Sequence, residues 1–208
     1  MGGLAAVAQA GCLREDDEPA RRSAWGGIRS IRISRVEPLV AVTTLLLVRH
    51  GETDWNAEGR LQGHTDRPLN EHGRRQAREL AARLAGEQVD AIYASDLVRA
   101  RETAEIVGAQ LGLEVAIDPD LREKNWGNWE GLTGDERASV VFEGESTELH
   151  RDRVMAAVRR IVERHRGGRV VVVTHGGSLR RIQAAVNRIA EPVIENCAVW
   201  TWTFDGID

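Results

Sequence analysis

The runs TTLLLV (43–48) and RVVVVT (169–174) are apolar at successive positions rather than at alternate ones, the pattern of strands buried on both faces of a parallel sheet. After the first run comes a polar stretch, and then Ala77, Leu80, Ala81 and Leu84 recur at i, i+3, i+4 and i+7, which predicts a helix from about Asn70. DAIYA (90–94) reads as a second strand, and LVRARETAEIVGAQLG (97–112) as a helix closed by Gly112. EVAID (114–118) is a short strand ended by Pro119, and Val154, Val158, Ile161 and Val162 share one face of a helix near 147–165. Gly176-Gly177 opens a helix to about Arg188. CAVWTWTF (197–204) alternates, with Trp200 and Trp202 on one face, as an edge strand does. Strand and helix in alternation predict an α/β fold of three layers, α/β/α, with a mostly parallel central sheet and ligands outside the carboxyl ends of its strands.

Residues 1–41 carry no such period. They are Gly- and Ala-rich, then acidic (EDDE), then punctuated by arginine, and read as a disordered extension ahead of one domain over 42–208. The alternative is a natural start at Val42, where a GTG codon would be translated as Met. The first residues have no basic region before their short apolar stretch, and no apolar segment follows Arg21-Arg22, so neither kind of export signal is read. No apolar run approaches the roughly 18 residues needed to span a bilayer.

A chain of 208 residues, 42% hydrophobic and 29% charged, suits one soluble domain with a sizeable core. Its 28 basic residues against 32 acidic ones give a net charge of −4, without the broad cationic surface that holds nucleic acid or anionic lipid. No nucleic-acid or membrane partner is therefore expected. All the basic residues but Lys124 are arginine, so position rather than number must show which of them matter. Cys12 and Cys197 are too few and too far apart for a disulfide framework, and a cytoplasmic location is expected. No CxxC or HExxH cluster is present, and neither metal nor cofactor is expected.

The chemistry gathers at strand ends. LLLVRHGETDWN (45–56) and VVVVTHGGS (170–178) each deliver a His followed by Gly to the same rim of the sheet. A single such His is ordinarily a satisfied loop residue; two, each with a Gly where backbone can approach a ligand closely, point to a site. Arg49 stands beside His50 with a planar fork suited to phosphate oxygens. In SDLVRARET (95–103), Asp96 is placed to cap the helix and Arg99 lies in its first turn, near the free N–H groups that attract anions. Taken alone, that segment reads instead as a solvated face, with Arg99 and Arg101 paired to Glu102 and Glu105. LREKNWGNWEG (121–131) puts Glu123 beyond another strand end, with Trp126 and Trp129 either walling a pocket or closing one end of the sheet.

These four segments resemble, in order, the motifs of the histidine phosphatase superfamily, also called phosphoglycerate mutase-like: the RHG turn, the arginine-bearing second motif, the acid-bearing loop and the second histidine motif. The resemblance runs over about 43–203. It implies a phosphoglycerate mutase-like fold and a phosphoric monoester hydrolase of the histidine acid phosphatase type. It further implies that His50 is the nucleophile that becomes a phosphohistidine, that Arg49, Arg99 and His175 surround the phosphate, and that Glu123 protonates the leaving oxygen and then activates water. Asn56, Thr53, Gln62 and the Gly176 backbone match lesser phosphate or substrate contacts. Elementary chemistry agrees: phosphoryl transfer needs positioned charge, and a neutral imidazole is a competent nucleophile.

The resemblance implies that residues 132–143 stand where members of the family usually carry a longer helical cover over the pocket. A short cover admits water, which favours a phosphatase over a mutase, and VVFEGESTELH (140–150) reads as a remnant of that cover. A mutase and a non-catalytic phosphate-binding module are the alternatives. The expected partner is a small phosphorylated substrate, with Trp55, Trp126 and Gln62 as a wall for a ring, and with a homodimer contact at the Trp200/Trp202 strand.

Overall fold

In a computed structural model, the structure describes residues 42–187 and 194–204; the readings of residues 1–41 and of a helix end at Arg188 lie outside the described residues. Five strands form one sheet: β1 (Thr43–Arg49), β2 (Ala91–Ala94), β3 (Val115–Ile117), β4 (Arg169–Thr174) and β5 (Val199–Phe204). Their order is β3-β2-β4-β1-β5. All neighbours are parallel except β5, which runs antiparallel beside β1 at the edge, with Leu45 opposite Trp202 and Leu47 opposite Trp200.

The unbroken apolar runs of β1 and β4 are explained by two cores. Leu45, Leu47, Val170 and Val172 project to one face, where helices α5 (Thr147–Arg164) and α6 (Gly176–Asn187) cover them with Val158, Ile161, Leu179 and Ile182. Leu46, Val48, Val171 and Val173 project to the other, under α2 (Glu71–Leu84) and α3 (Val98–Leu111), which supply Leu80, Ala81, Ala104 and Val107. The fold is therefore three-layered, α/β/α. Trp200 and Trp202 are partly buried against the first core. Among the described residues no helix is long and apolar enough to cross a membrane.

Three of the described helix ends follow local chemistry and one does not. Asn70 caps α2 through the Gly73 amide at 2.8 Å, Ser146 caps α5 through the Leu149 amide at 3.1 Å, and Gly112 ends α3 in the left-handed region at φ 68°. Asp96 does not cap α3. The Arg122 guanidinium takes both of its carboxylate oxygens, and the Val98 amide instead donates to Asp66 Oδ1 at 2.7 Å, from a loop 32 residues earlier. A charge-assisted fork outcompetes a local cap.

β1 leads to α2 on one face and β4 leads to α6 on the other, so the chain turns opposite ways after two adjacent parallel strands. This is the switch point at which open α/β sheets form a crevice. Arg49 is paired with Thr174 in register, so His50 and His175 emerge side by side at its floor.

Candidate active site

His50 is buried and its amide donates to the Thr174 carbonyl at 3.0 Å. The imidazole Nδ1 lies 2.7 Å from the Gly51 carbonyl, which only accepts, so Nδ1 carries the hydrogen and Nε2 keeps its lone pair. Burial, reinforced by the charges of Arg99 and Arg49, holds the pKa of His50 well below its usual value, so the ring is neutral at pH 7. His175 is fully buried, its ring centroid 5.1 Å from that of His50, and burial first and Arg99 second push its pKa well down too. Neither of its ring nitrogens has a hydrogen-bond partner among the described residues. An orphaned buried imidazole is costly unless a ligand's polar group completes it.

Arg99 overturns the solvated-face reading. It is 1% exposed, with Nη1 donating to the Thr65 carbonyl at 3.0 Å and Nη2 to the Gly63 carbonyl at 2.7 Å. Arg101, two residues on and so on the other side of the helix, is the solvent-facing one, 3.7 Å from Glu105, whereas Glu102 pairs with Arg74 at 2.6 Å. Desolvation lowers the pKa of Arg99 to about 10, with Glu123 the largest opposing influence, so the guanidinium stays charged. Arg49 is anchored by the Ile194 carbonyl, and burial lowers its pKa as well. The Nε of each arginine lacks a partner among the described residues.

Glu123 follows the 3₁₀ turn Pro119–Leu121. Its Oε1 accepts from the Lys124 amide and its Oε2 from the Gly177 amide, both at 2.8 Å. The second bond sets the carboxylate against the N-terminal turn of α6. Gly177 thus serves a side chain of the protein itself: a Cβ there would lie 2.1 Å from Glu123 Oε1. Gly51 likewise makes room for backbone, since its Cβ would sit 2.6 Å from the Gly73 carbonyl oxygen.

A cavity of about 380 Å³ opens over this floor, lined by Arg49, His50, Asn56, Gln62, Glu123 and Gly176 among others. Arg99, His175 and Thr53 do not line it; all three are buried. Thr53 caps the short helix α1 (Asp54–Ala57), exchanging hydrogen bonds with Asn56 that aim the amide toward the cavity. Trp126 is on the cavity wall, whereas Trp55 lies over Gly131 with the Arg67 guanidinium 5.2 Å from its ring. Trp129 stacks on Trp126 at 6.3 Å and approaches Phe142 at 4.8 Å. Residues 132–143 hold the helix α4 (Gly134–Arg137), capped by Thr133, and set Phe142 against the two tryptophans, while Val141 is exposed.

Sequence reasoning missed Arg180 and Asn196. Arg180 lines the cavity, with its Nη2 near Gly176, and the signal was available: it stands four residues after Gly176 on the same helix face. Asn196 donates to the His50 carbonyl at 2.8 Å from 146 residues away, a contact that no local pattern encodes. Among the described residues no group of three or more His, Cys, Asp or Glu side chains is gathered to hold a metal ion.

Comparison with known proteins gives consistent matches. Residues 45–205 match the histidine phosphatase superfamily (branch 1). The chain is 44% identical to phosphoglycerate mutase-like protein 4 of Arabidopsis thaliana, over 78% of this chain and 80% of that protein. It is 41% identical to a metal-independent phosphoserine phosphatase of the same plant, over 71% and 70%. Among solved structures, a mycobacterial glucosyl-3-phosphoglycerate phosphatase complexed with VO3 superposes with a TM-score of 0.70 at 32% identity, over 76% of this chain and 90% of that one.

Proposed function

The chain belongs to the histidine phosphatase superfamily, and from that premise we propose that it is a metal-independent phosphomonoesterase of the histidine acid phosphatase type, acting on a small phosphorylated metabolite. His50 Nε2 attacks phosphorus in line with the departing oxygen, giving a phosphohistidine. Glu123 donates its proton to that oxygen and, as the carboxylate, then takes a proton from the water that attacks the phosphohistidine. Arg49, Arg99 and His175 stabilise the transferring group, and Asn56, Gln62 and the Gly176 amide hold its oxygens, with Thr53 fixing Asn56. Two guanidiniums beside a buried neutral nucleophile supply the positioned charge that this chemistry needs. General acid help of this kind gives about 10²- to 10⁴-fold.

The observation that carries the reading is the His50 tautomer: with Nδ1 committed to Gly51, the free lone pair belongs to Nε2 of a neutral ring in the cavity wall. Rapid quenching with a ³²P-labelled aryl phosphate in excess chelator is expected to trap an acid-labile phosphoenzyme, absent from His50→Ala along with turnover. Undiminished turnover by His50→Ala refutes the mechanism. The likeness to a phosphoglycerate mutase-like protein favours a second reading as a mutase. Conversion of 3-phosphoglycerate to 2-phosphoglycerate in the presence of a bisphosphate primer separates the two.

A further inference from the structure

Glu130 stands seven residues beyond Glu123, at the end of the 3₁₀ turn Gly127–Trp129, and does not line the cavity. Its carboxylate nevertheless receives four hydrogen bonds. Oε1 accepts from the His64 amide at 2.8 Å and the Trp126 amide at 3.1 Å; Oε2 accepts from the Thr65 amide at 2.8 Å and the Thr65 hydroxyl at 2.6 Å. Three of the four partners are backbone amides, which can only donate, and they fall on both oxygens, so the site calls for an acceptor at each position, as a carboxyl side chain provides and a carboxamide nitrogen does not.

Three of these bonds fall on residues 64 and 65, within the stretch 63–65 whose Gly63 and Thr65 carbonyls receive the Arg99 guanidinium. The Thr65 amide and hydroxyl face Glu130 while its carbonyl receives Arg99 Nη1; Gly63, one residue before His64, receives Nη2. Gly63 itself adopts φ 53°, and a Cβ there would lie 2.0 Å from Glu130 Oε1, so this glycine is what lets the carboxylate reach the loop. The fourth bond ties the same carboxylate to Trp126, on the cavity wall three residues after Glu123.

We propose that Glu130 is a positioning residue that acts through Arg99: by clamping residues 63–65 it holds the two carbonyls that aim the Arg99 guanidinium at the bound phosphate. The proposal rests on the phosphoryl-transfer reading above. The Glu130→Gln side chain keeps the shape but turns one acceptor into a donor, leaving at least one of the loop's N–H groups facing N–H.

The test measures orthovanadate binding and phosphomonoester kcat/KM in Glu130→Gln, Arg99→Lys and the double variant, with amide hydrogen exchange at residues 64 and 65. Glu130→Gln is expected to weaken vanadate binding and kcat/KM by roughly tenfold to hundredfold, the scale of an ångström-sized misplacement. The double variant should lie within roughly twofold of Arg99→Lys alone, since the second change has nothing further to remove. Exchange at 64 and 65 should rise. Unchanged vanadate affinity in Glu130→Gln, or losses that multiply in the double variant, overturns the role of Glu130 and leaves the phosphatase reading standing. A wild-type protein that binds no vanadate overturns both. Should Glu130→Gln not fold, Thr65→Val removes one of the four bonds alone: several-fold weaker vanadate binding supports the proposal and unaltered binding refutes it.

Discussion

Replacing Gly177 with alanine puts a methyl group where the Glu123 carboxylate now lies. The new Cβ would be 2.1 Å from Oε1, 2.8 Å from Cδ and 3.0 Å from Oε2. Bringing Oε1 out to the 3.4 Å at which ordinary contact begins needs a retreat of about 1.3 Å. The obstructing atoms are the far end of a flexible side chain, so the fold accommodates the change, and alanine in a helix is favoured over glycine by up to about 1 kcal/mol. What is lost is the placement of the proposed acid and its bond to the Gly177 amide. A 1 Å displacement of a reacting group costs about 10²-fold, or roughly 2.7 kcal/mol of barrier. The assay compares kcat/KM for an aryl phosphate with a good leaving group and an alkyl phosphate with a poor one, alongside urea denaturation. Stability is expected to hold or rise slightly while turnover of the alkyl ester falls about a hundredfold and that of the aryl ester much less, because a good leaving oxygen needs little protonation. Full turnover of both esters by Gly177→Ala would show that Glu123 is not the acid, or that its contact with α6 does not place it.

Gly51→Ala meets backbone rather than a side chain, at 2.6 Å from the Gly73 oxygen and 3.0 Å from its carbon, so urea denaturation should show a loss of about 1–3 kcal/mol, whereas Gly176→Ala, whose nearest neighbour is Arg49 Nε at 3.5 Å, should be neutral in stability. Acid should destabilise the protein in a defined window. His50 and His175 are held well below the usual histidine pKa and His150 is pushed down to about 4, each chiefly by burial. Above about pH 6.5 both folded and unfolded histidines are neutral and stability is undiminished; below it the unfolded chain takes up protons that the folded one refuses, at about 1.4 kcal/mol per pH unit for each residue. Denaturation at pH 7 and pH 5 should show this slope, and His150→Leu should reduce it by one proton; a flat profile would refute the buried neutral state.

Much of the architecture was legible in the residues alone. The apolar runs within 43–48 and 169–174 read as strands covered on both faces, and the His after each reaches the same rim because the strands are parallel neighbours. The i, i+3, i+4 pattern of α2 and the Gly112 stop of α3 were equally local. Asp96 misled because its cap geometry was available but a stronger partner, Arg122, arrived from another strand's end. Arg99 was ambiguous because its helix offers both a buried and a wet side, and nothing in SDLVRARET says which carbonyls wait for it.

The sequence by itself determined the order of the main strands and helices along the chain and the two histidine turns at strand ends, because each is encoded by neighbours within a few residues. Tertiary structure decided the rest: that Arg99 is buried on loop carbonyls, that Gly177 exists to admit the Glu123 carboxylate, that Arg180 lines the cavity and Asn196 anchors the His50 carbonyl, and that Glu130 clasps the loop behind Arg99. Those contacts join segments tens of residues apart. Their energies depend on which buried donors and acceptors find each other after the chain has packed, and a linear pattern does not carry that information.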